Sequence, residues 1–392
     1  MMRVVTVDGY SEGWLKKGFP WVYPKEVVRG AARPGQLVEL RSQGGEVLGT
    51  GLADEGFLAA RVFRHDAGPL DAALVGQRLD RAAALRDLVV GTDTDAYRLV
   101  NAECDDLPGI RVDWWRTFAT IVLDSPAIAP LLPHVVEWLR ERRQARGVYL
   151  WYRRDPRDRE RLAPEPPPGL IDGHAPPGAV RVRELGLSYD VWPQEGPDVG
   201  LYPDMREVRA WLAPSWGGTT VLNAFAYTGA FSVSAAFHGA SEVTTLDLSG
   251  RYLERAEANF RANELDPEPH VFLEEDVFKA LDRFRRTGQT FDRVIVDPPS
   301  YSHGTGTWSA KTDYPRLVAA AARVTAPDGW IVACSNAGDV PPRTFDGWLQ
   351  EGLRKAGREA QILATLSQAA DHPASTTFPE GRYLKVRVLR LR

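Results

Sequence analysis

Val221-Leu222-Asn223-Ala224-Phe225-Ala226-Tyr227-Thr228-Gly229-Ala230-Phe231 decides the fold. Residues Thr219–Ala224 are strand-like, Gly229 breaks the run, and Ala230–Phe237 has helical character, so the stretch reads as a strand, a tight turn and a helix. The unit recurs downstream. Strands at Glu242–Leu246, His270–Leu273, Phe291–Val296 and Trp330–Cys334 alternate with helices at Arg251–Asn263, Val277–Arg285, Asp313–Val324 and Thr344–Ala356. Repeated βα units force parallel pairing and place helices on both faces of one sheet. Glu359–Leu366 and Tyr383–Leu391 follow as strands with no helix between them, which predicts an antiparallel hairpin at the sheet edge. The fold class is therefore α/β, with a Rossmann-like seven-stranded domain over residues 193–392.

Upstream the pattern differs. Residues 1–70 set short strands (Gln36–Leu40, Glu46–Leu52 and Phe57–Phe63) between Gly and Pro punctuation, as a small β domain of barrel type does. Residues 71–192 run as a helix (Asp71–Leu88), three strands (Tyr97–Asn101, Ile110–Trp114, Phe118–Leu123), a helix (Leu131–Arg146) and a strand (Gly147–Tyr152), an α+β central domain. Ala163–Ala179 is proline-rich without periodicity and reads as a stiff, extended loop. Val180–Val191 resumes strand character, and Gln194–Asp204 leads as a loop into a helix at Met205–Leu212.

Composition narrows the function classes. Of 392 residues 44% are hydrophobic and 26% charged, the ordinary globular range. No apolar run reaches the roughly eighteen residues that a spanning helix needs, and the start of the chain lacks a signal peptide, so a cytoplasmic protein with no membrane partner is expected. Two cysteines, Cys104 and Cys334, do not make a disulfide framework. The net charge of −4 argues against nonspecific grip on long nucleic acid unless basic residues are gathered locally. Arg140, Arg142, Arg143 and Arg146, then Arg153, Arg154, Arg157, Arg159 and Arg161, are so gathered, although interleaved acids fit a solvated face as well as an RNA-facing patch.

In a doubly wound sheet ligands sit beyond the carboxyl ends of the strands, near the point where strand order reverses. Three features fall there. Gly229 lets the backbone turn tightly before a helix whose N–H groups face a ligand. Asp247, ending the second strand, can accept both hydroxyls of a ribose. Glu275-Asp276-Val277, after the third, is placed to read adenine through a side chain and a backbone N–H. Asp247 and Asp276 are each also suited to capping a helix. Their joint spacing in register with the strands favours a nucleoside cofactor, and the absence of GxGxxG disfavours a dinucleotide. S-adenosylmethionine (SAM), which has no phosphate, fits such a turn; no metal ligand is among the candidates.

The fourth strand ends in Asp297-Pro298-Pro299-Ser300-Tyr301. Prolines lack an N–H, so carbonyls at Pro298 are released from the ladder to face a ligand. Asp297 is placed to hold the amino group of a planar base, on which Tyr301 could stack. Cys334 ends the fifth strand. Mid-strand it would be a small buried hydrophobe; at a carboxyl end beside Asp297 it reads as a nucleophile, whose thiolate adds to carbon 6 of a pyrimidine and activates carbon 5. Cys104, between acids, reads as inert.

These motifs resemble the bacterial large-subunit ribosomal RNA cytosine-5 methyltransferases with an N-terminal PUA domain. The similarity runs through Gly18-Phe19-Pro20-Trp21-Val22-Tyr23, Arg33–Val38, Tyr97–Glu103 with Leu107–Ile110, Gly200–Arg206, Phe225–Phe231, Asp247–Ser249 and Asp297–Pro299. It ends in Gln368–Pro373 with Phe378–Lys385. The resemblance implies a PUA-like first domain and a class I SAM-dependent methyltransferase domain. It implies that Asp204, Arg206, Phe225, Tyr227, Thr228, Asp247 and Asp276 line the SAM pocket, that Asp297 holds the base and that Cys334 is the nucleophile. RNA, from the large ribosomal subunit, is the implied partner.

Where the family has S-C-S, this chain has Ala333-Cys334-Ser335 followed by Asn336, and Ser-Asn is similar to rRNA guanine-N7 methyltransferases. Base-nitrogen methylation without a covalent step therefore stands as an alternative, and a non-catalytic RNA-binding assembly factor as another. His372 is either a substrate contact or a loop-bracing histidine. The oligomeric state stays open, a homodimer included.

Overall fold

The computed structural model describes residues 2–153, 165–299, 301–302 and 308–392. The chain forms two compact units: residues 1–182, 191–199 and 370–381 make the first, and residues 183–190, 200–369 and 382–392 the second. Among the described residues no helix is long and apolar enough to cross a membrane.

The first unit holds a six-stranded sheet ordered Trp21–Val22, Ala60–Arg64, Val47–Ala53, Leu37–Arg41, Arg3–Val7 and Val27–Arg29. Arg3–Val7 pairs parallel with Leu37–Arg41 and was invisible to the strand reading, as was the helix Gly9–Leu15, capped by Asp8 accepting from the Ser11 amide at 2.8 Å. A five-stranded sheet follows, ordered Gly169–Gly173, Gly147–Tyr152, Phe118–Leu123, Ile110–Trp115 and Ala96–Asn101. Its apolar residues share one cluster with helices Ala72–Val89 and Leu132–Arg143. Leu52 and Phe63 of the first sheet join that same cluster, so no break between compact units falls near residue 70.

Gly169–Gly173 corrects the extended-loop reading of Ala163–Ala179: it pairs antiparallel with Gly147–Leu150 as an edge strand. Leu170-Ile171 supplies the β-forming pair, and the flanking prolines concealed so short a run. Residues 163 and 164 lie outside the described residues, as do Arg154, Arg157, Arg159 and Arg161. The stretch 370–381 belongs to this unit too. The Asp371 carboxylate accepts from the Arg98 amide at 2.8 Å, its carbonyl accepts from Arg86 at 2.8 Å, and Asn101 donates to the Pro373 carbonyl at 2.9 Å.

The second unit carries the expected alternation. Its strands and helices are β1 (Thr220–Ala224), α1 (Ala230–Phe237), β2 (Glu242–Asp247), α2 (Gly250–Ala262), β3 (Val271–Glu274), α3 (Val277–Thr287), β4 (Phe291–Val296), α4 (Ala310–Val324), β5 (Thr325–Ser335), α5 (Pro342–Ala356), β6 (Ala360–Leu366) and β7 (Lys385–Leu391). The sheet order is β3-β2-β1-β4-β5-β7-β6. Pairings from β3 through β5 are parallel, while β7 is antiparallel to both β5 and β6. The terminal hairpin is thus present, but its last strand is interior and β6 forms the edge. Strand order reverses between β1 and β4, and this positions the site.

Apolar clusters cover both faces. Leu281 and Phe284 of α3, Leu317 and Val318 of α4 and Phe345 and Leu349 of α5 pack on one. Phe231 and Ala235 of α1, with Val208 and Leu212 of the helix Arg206–Leu212, pack on the other. That last helix is anchored by a buried ion pair: Arg209 donates to both Glu184 oxygens at 2.7 and 2.9 Å and to the Tyr202 carbonyl at 2.9 Å. Removing one partner strands a buried charge, so Arg209→Met is expected to cost about 3–5 kcal/mol. Denaturant unfolding measures it; a loss below about 1 kcal/mol would mean the carboxylate rehydrates or takes up a proton cheaply.

Candidate active site

The site starts from β1. Asn223 is buried and donates to the Ser232 hydroxyl at 2.9 Å, to which Thr245 also donates at 2.9 Å, joining β1, β2 and α1. The chain then turns through Phe225 (φ +60°), Tyr227 (φ +52°) and Gly229 (φ +76°). A left-handed non-glycine residue costs roughly 1–2 kcal/mol, so two within three residues persist only where surroundings over-determine them. Here they do. The Ala226 amide donates to the Leu246 carbonyl at 3.0 Å, Asn259 donates to the Thr228 carbonyl at 2.9 Å, and the Thr228 hydroxyl donates to the Gly200 carbonyl. Gly229 is required twice, by its φ and by packing: a Cβ there would lie 2.7 Å from that of Ala256 on α2.

Asp247 closes this loop. Its Oδ2 accepts from the Tyr227 amide at 2.9 Å and its Oδ1 from the Ser249 amide at 3.0 Å. Burial raises its pKa, opposed by the amides of Tyr227, Ser249 and Leu248. Each carboxylate oxygen keeps acceptor capacity beyond one N–H. Ser249, not Asp247, is the N-cap of α2. Asp276 does cap a helix, its Oδ1 accepting from the Lys279 amide at 3.0 Å, and Val277 behind it is buried. The Tyr227 ring lies 5.3 Å from that of Tyr202 and 4.6 Å from that of Tyr252, an aromatic group that sequence distance hides.

Beyond β4 and β5 lie the groups suited to chemistry. Val296 pairs with Ala333, so Asp297 and Cys334 each sit one residue past a paired position on neighbouring strands. Asp204 is hydrogen-bonded by the Tyr383 hydroxyl at 2.8 Å. Burial, and then the charge of Asp204, push the Asp297 carboxyl up to about 7, with Arg209 opposing. The Cys334 thiol is buried, and burial followed by Asp297 and Asp204 pushes it well above the ordinary thiol range. Tyr314 donates to the Cys334 carbonyl at 2.6 Å. Cys104, in the first unit, is held at about 11, chiefly by burial.

The remaining candidates divide. Arg206 is buried at the start of its helix, Phe225 packs against the α3–α5 cluster, and Pro298 is buried. Tyr301 opens a two-residue strand paired with Trp308–Ser309, while its side chain lies outside the described residues. His372 is in the first unit, buried, with Nδ1 3.3 Å from Asp371. Sequence reasoning gave no role to Tyr314, Tyr383 or Lys385; the motif containing Tyr383 and Lys385 was legible, but not what it touches.

Comparison with known proteins supplies the family. The S-adenosylmethionine-dependent methyltransferase family matches residues 170–379, and a PUA-like domain matches residues 5–64. The ribosomal RNA large subunit methyltransferase I of Tolumonas auensis is 33% identical, covering 100% of both chains, and that of Cronobacter sakazakii is 31% identical over 98% of each. A methyltransferase crystallised with S-adenosylhomocysteine (SAH) is 26% identical, with a TM-score of 0.90 over 100% of both chains. The chain belongs to the S-adenosylmethionine-dependent methyltransferases that carry a PUA-like N-terminal domain, the family of the ribosomal RNA large subunit methyltransferase I proteins.

Proposed function

We propose that this protein methylates carbon 5 of a cytosine in large-subunit ribosomal RNA in the cytoplasm, with Cys334 as nucleophile. The observation that carries the reading is the placement of Cys334 one strand from Asp297, each just past the paired Val296 and Ala333.

The residues fit SAM. Asp204 and Asp297 put two carboxyls together, and burial with the Asp204 charge outweighs Arg209 in raising the Asp297 carboxyl, so added positive charge is favourable there. A ligand carrying a sulfonium and an ammonium supplies it. In this reading Asp247 accepts the ribose hydroxyls, and Asp276 with the Val277 amide reads adenine. Thr228 and Gly229 bring backbone close to the ligand, Phe225 and Tyr227 wall it, Asp204 faces the ammonium and Arg206 the carboxylate. When bound, SAM supplies an electrophilic methyl group.

The Asp297 carboxyl, raised to about 7 by burial, can accept from the exocyclic amine of cytosine and, in its protonated form, donate to ring nitrogen 3. The Cys334 thiolate forms a bond to carbon 6, and the π electrons of the 5,6 bond move to carbon 5, which becomes nucleophilic. After methylation the carbon 5 proton leaves to a base, the 5,6 bond reforms and the carbon–sulfur bond breaks. One observation favours a second reading, base-nitrogen methylation: the thiol is held protonated by burial and by two carboxyls. Mass spectrometry of nucleosides from treated rRNA separates them, since 5-methylcytidine supports the proposal and methylguanosine overturns it.

A cationic ligand prefers ionised Asp297. SAM affinity is therefore expected to strengthen as pH rises from 6, by up to about tenfold per unit, and to level above about 7. The ligand-free fold has the opposite dependence: its carboxyl keeps a proton to higher pH than the unfolded chain, so stability falls as pH rises from the ordinary carboxylate range towards 7. Calorimetric titration across this range, with Asp297→Asn as the flat control, measures the first effect; a flat wild-type profile would contradict it.

A further inference from the structure

Cys334 is the next-to-last residue of β5, which ends at Ser335, and the chain leaves regular structure at Asn336, so the segment just past the nucleophile needs a further anchor. The Tyr314 hydroxyl holds its front, on the Cys334 carbonyl. Its rear is held by Lys385, the first residue of β7, which pairs with Ser335. Lys385 is buried, and Nζ donates at 2.7 Å to the Ala337 carbonyl and at 2.7 Å to the Tyr383 carbonyl. Tyr383 in turn donates to Asp204.

We propose that Lys385 is a positioning residue for Cys334, its ammonium clamping the segment Cys334–Ala337 to the start of β7 and, through Tyr383, to the Asp204 carboxylate. A buried ammonium is costly unless its protons are used, and two short charge-assisted bonds to carbonyls use them. Burial lowers its pKa to about 8; Asp339, on the segment after β5, raises it and Arg387, on β7, lowers it further. The Ala337 carbonyl lies just past the end of β5 and the Tyr383 carbonyl just before the start of β7, so one cation sets the spacing between the nucleophile segment and the residue that holds Asp204. Among the described residues the loop from Phe225 to Gly229 makes no hydrogen bond to Lys385, and Asp204 is reached only through the Tyr383 side chain, which keeps its own bond to Asp204 when Lys385 is changed.

The inference rests on reading Cys334 as the nucleophile, but its first test needs neither RNA nor cofactor. In the full-length protein, Lys385→Met is expected to raise iodoacetamide labelling of Cys334 about tenfold, because the segment opens locally, while labelling of Cys104 stays unchanged. In methyl transfer to rRNA the same variant is expected to lose about a hundredfold in kcat with KM for SAM little altered, the pattern of a misplaced reacting group. Should Lys385→Met not fold, Lys385→Gln, which keeps N–H donors on a shorter stem, is read the same way. Cys334 labelled at the wild-type rate with kcat unchanged, or both cysteines rising together, would overturn the proposal. Methylation found at another atom would leave the labelling result standing and overturn only the cytosine-5 reading.

Discussion

Cys334→Ala is expected to lower methyl transfer to rRNA by about a thousandfold or more while leaving SAH affinity within about twofold of wild type. Carbon 5 of an unactivated cytosine cannot attack a methyl group, so removing the attacking sulfur removes the reaction path rather than one contribution to it. The substitution is structurally mild. Cys334 lies in an apolar cluster with Val221, Phe231, Val332 and Val386, and alanine there costs on the order of 1 kcal/mol. The carbonyl that Tyr314 binds is backbone and is retained. Single-turnover transfer of labelled methyl, alongside calorimetry with SAH, separates chemistry from binding. A variant with more than a tenth of wild-type activity would favour base-nitrogen methylation.

The second large effect is on the cofactor. Asp247→Ala is expected to weaken SAM binding by about a hundredfold or more, since two charge-assisted bonds to ribose hydroxyls at about 1.5 kcal/mol each give that factor. The variant also loses the anchors on the Tyr227 and Ser249 amides, so the strained turn from Phe225 to Gly229 loses part of what holds it. Asp247→Asn separates the two effects. Its amide oxygen can still accept one N–H, but it has no charge and cannot accept both hydroxyls. An intermediate loss of roughly tenfold is expected for it. Equal affinities for wild type and Asp247→Ala would remove the ribose role.

What could be read beforehand followed the range of the interactions. The βα alternation is local: hydrophobic period, glycine and strand length lie within about twenty residues, and each strand from β1 to β5 was placed by them. The turn at Gly229 was legible because its conformation is dictated by the residue itself. The place of β7 was not, because a hairpin pattern records that two strands pair and says nothing of a third that one of them also joins. The ion pair of Glu184 with Arg209 and the reach of Lys385 to Ala337 join residues far apart in sequence, with no pattern to mark them. The return of residues 370–381 to the first unit was hidden for the same reason. Gly169–Gly173 was missed for a different one: its prolines lie outside the strand, where they restrict the flanks and leave the pairing intact.

The site divided in the same way. Asp247, Asp276, Asp297 and Cys334 lie at or just past strand ends, and Gly229 caps the helix after β1, all on the side of the sheet where topology alone predicts ligands. The protonation of that edge could not be read. Only the fold shows that Asp204 approaches Asp297 and that the Cys334 thiol is buried with both carboxyls nearby, so that in the proposed mechanism thiolate formation is the step that needs assistance.

That step is tested most directly by trapping. Incubation with SAM and an rRNA fragment carrying 5-fluorocytosine at the modified position leaves no proton on carbon 5 to remove, so the sulfur cannot leave once the methyl has been transferred. The account predicts a stable protein–RNA adduct whose peptide mass places the bond on Cys334, and no adduct with Cys334→Ala. Methylation of the RNA with no adduct, or an adduct that survives Cys334→Ala, would contradict it.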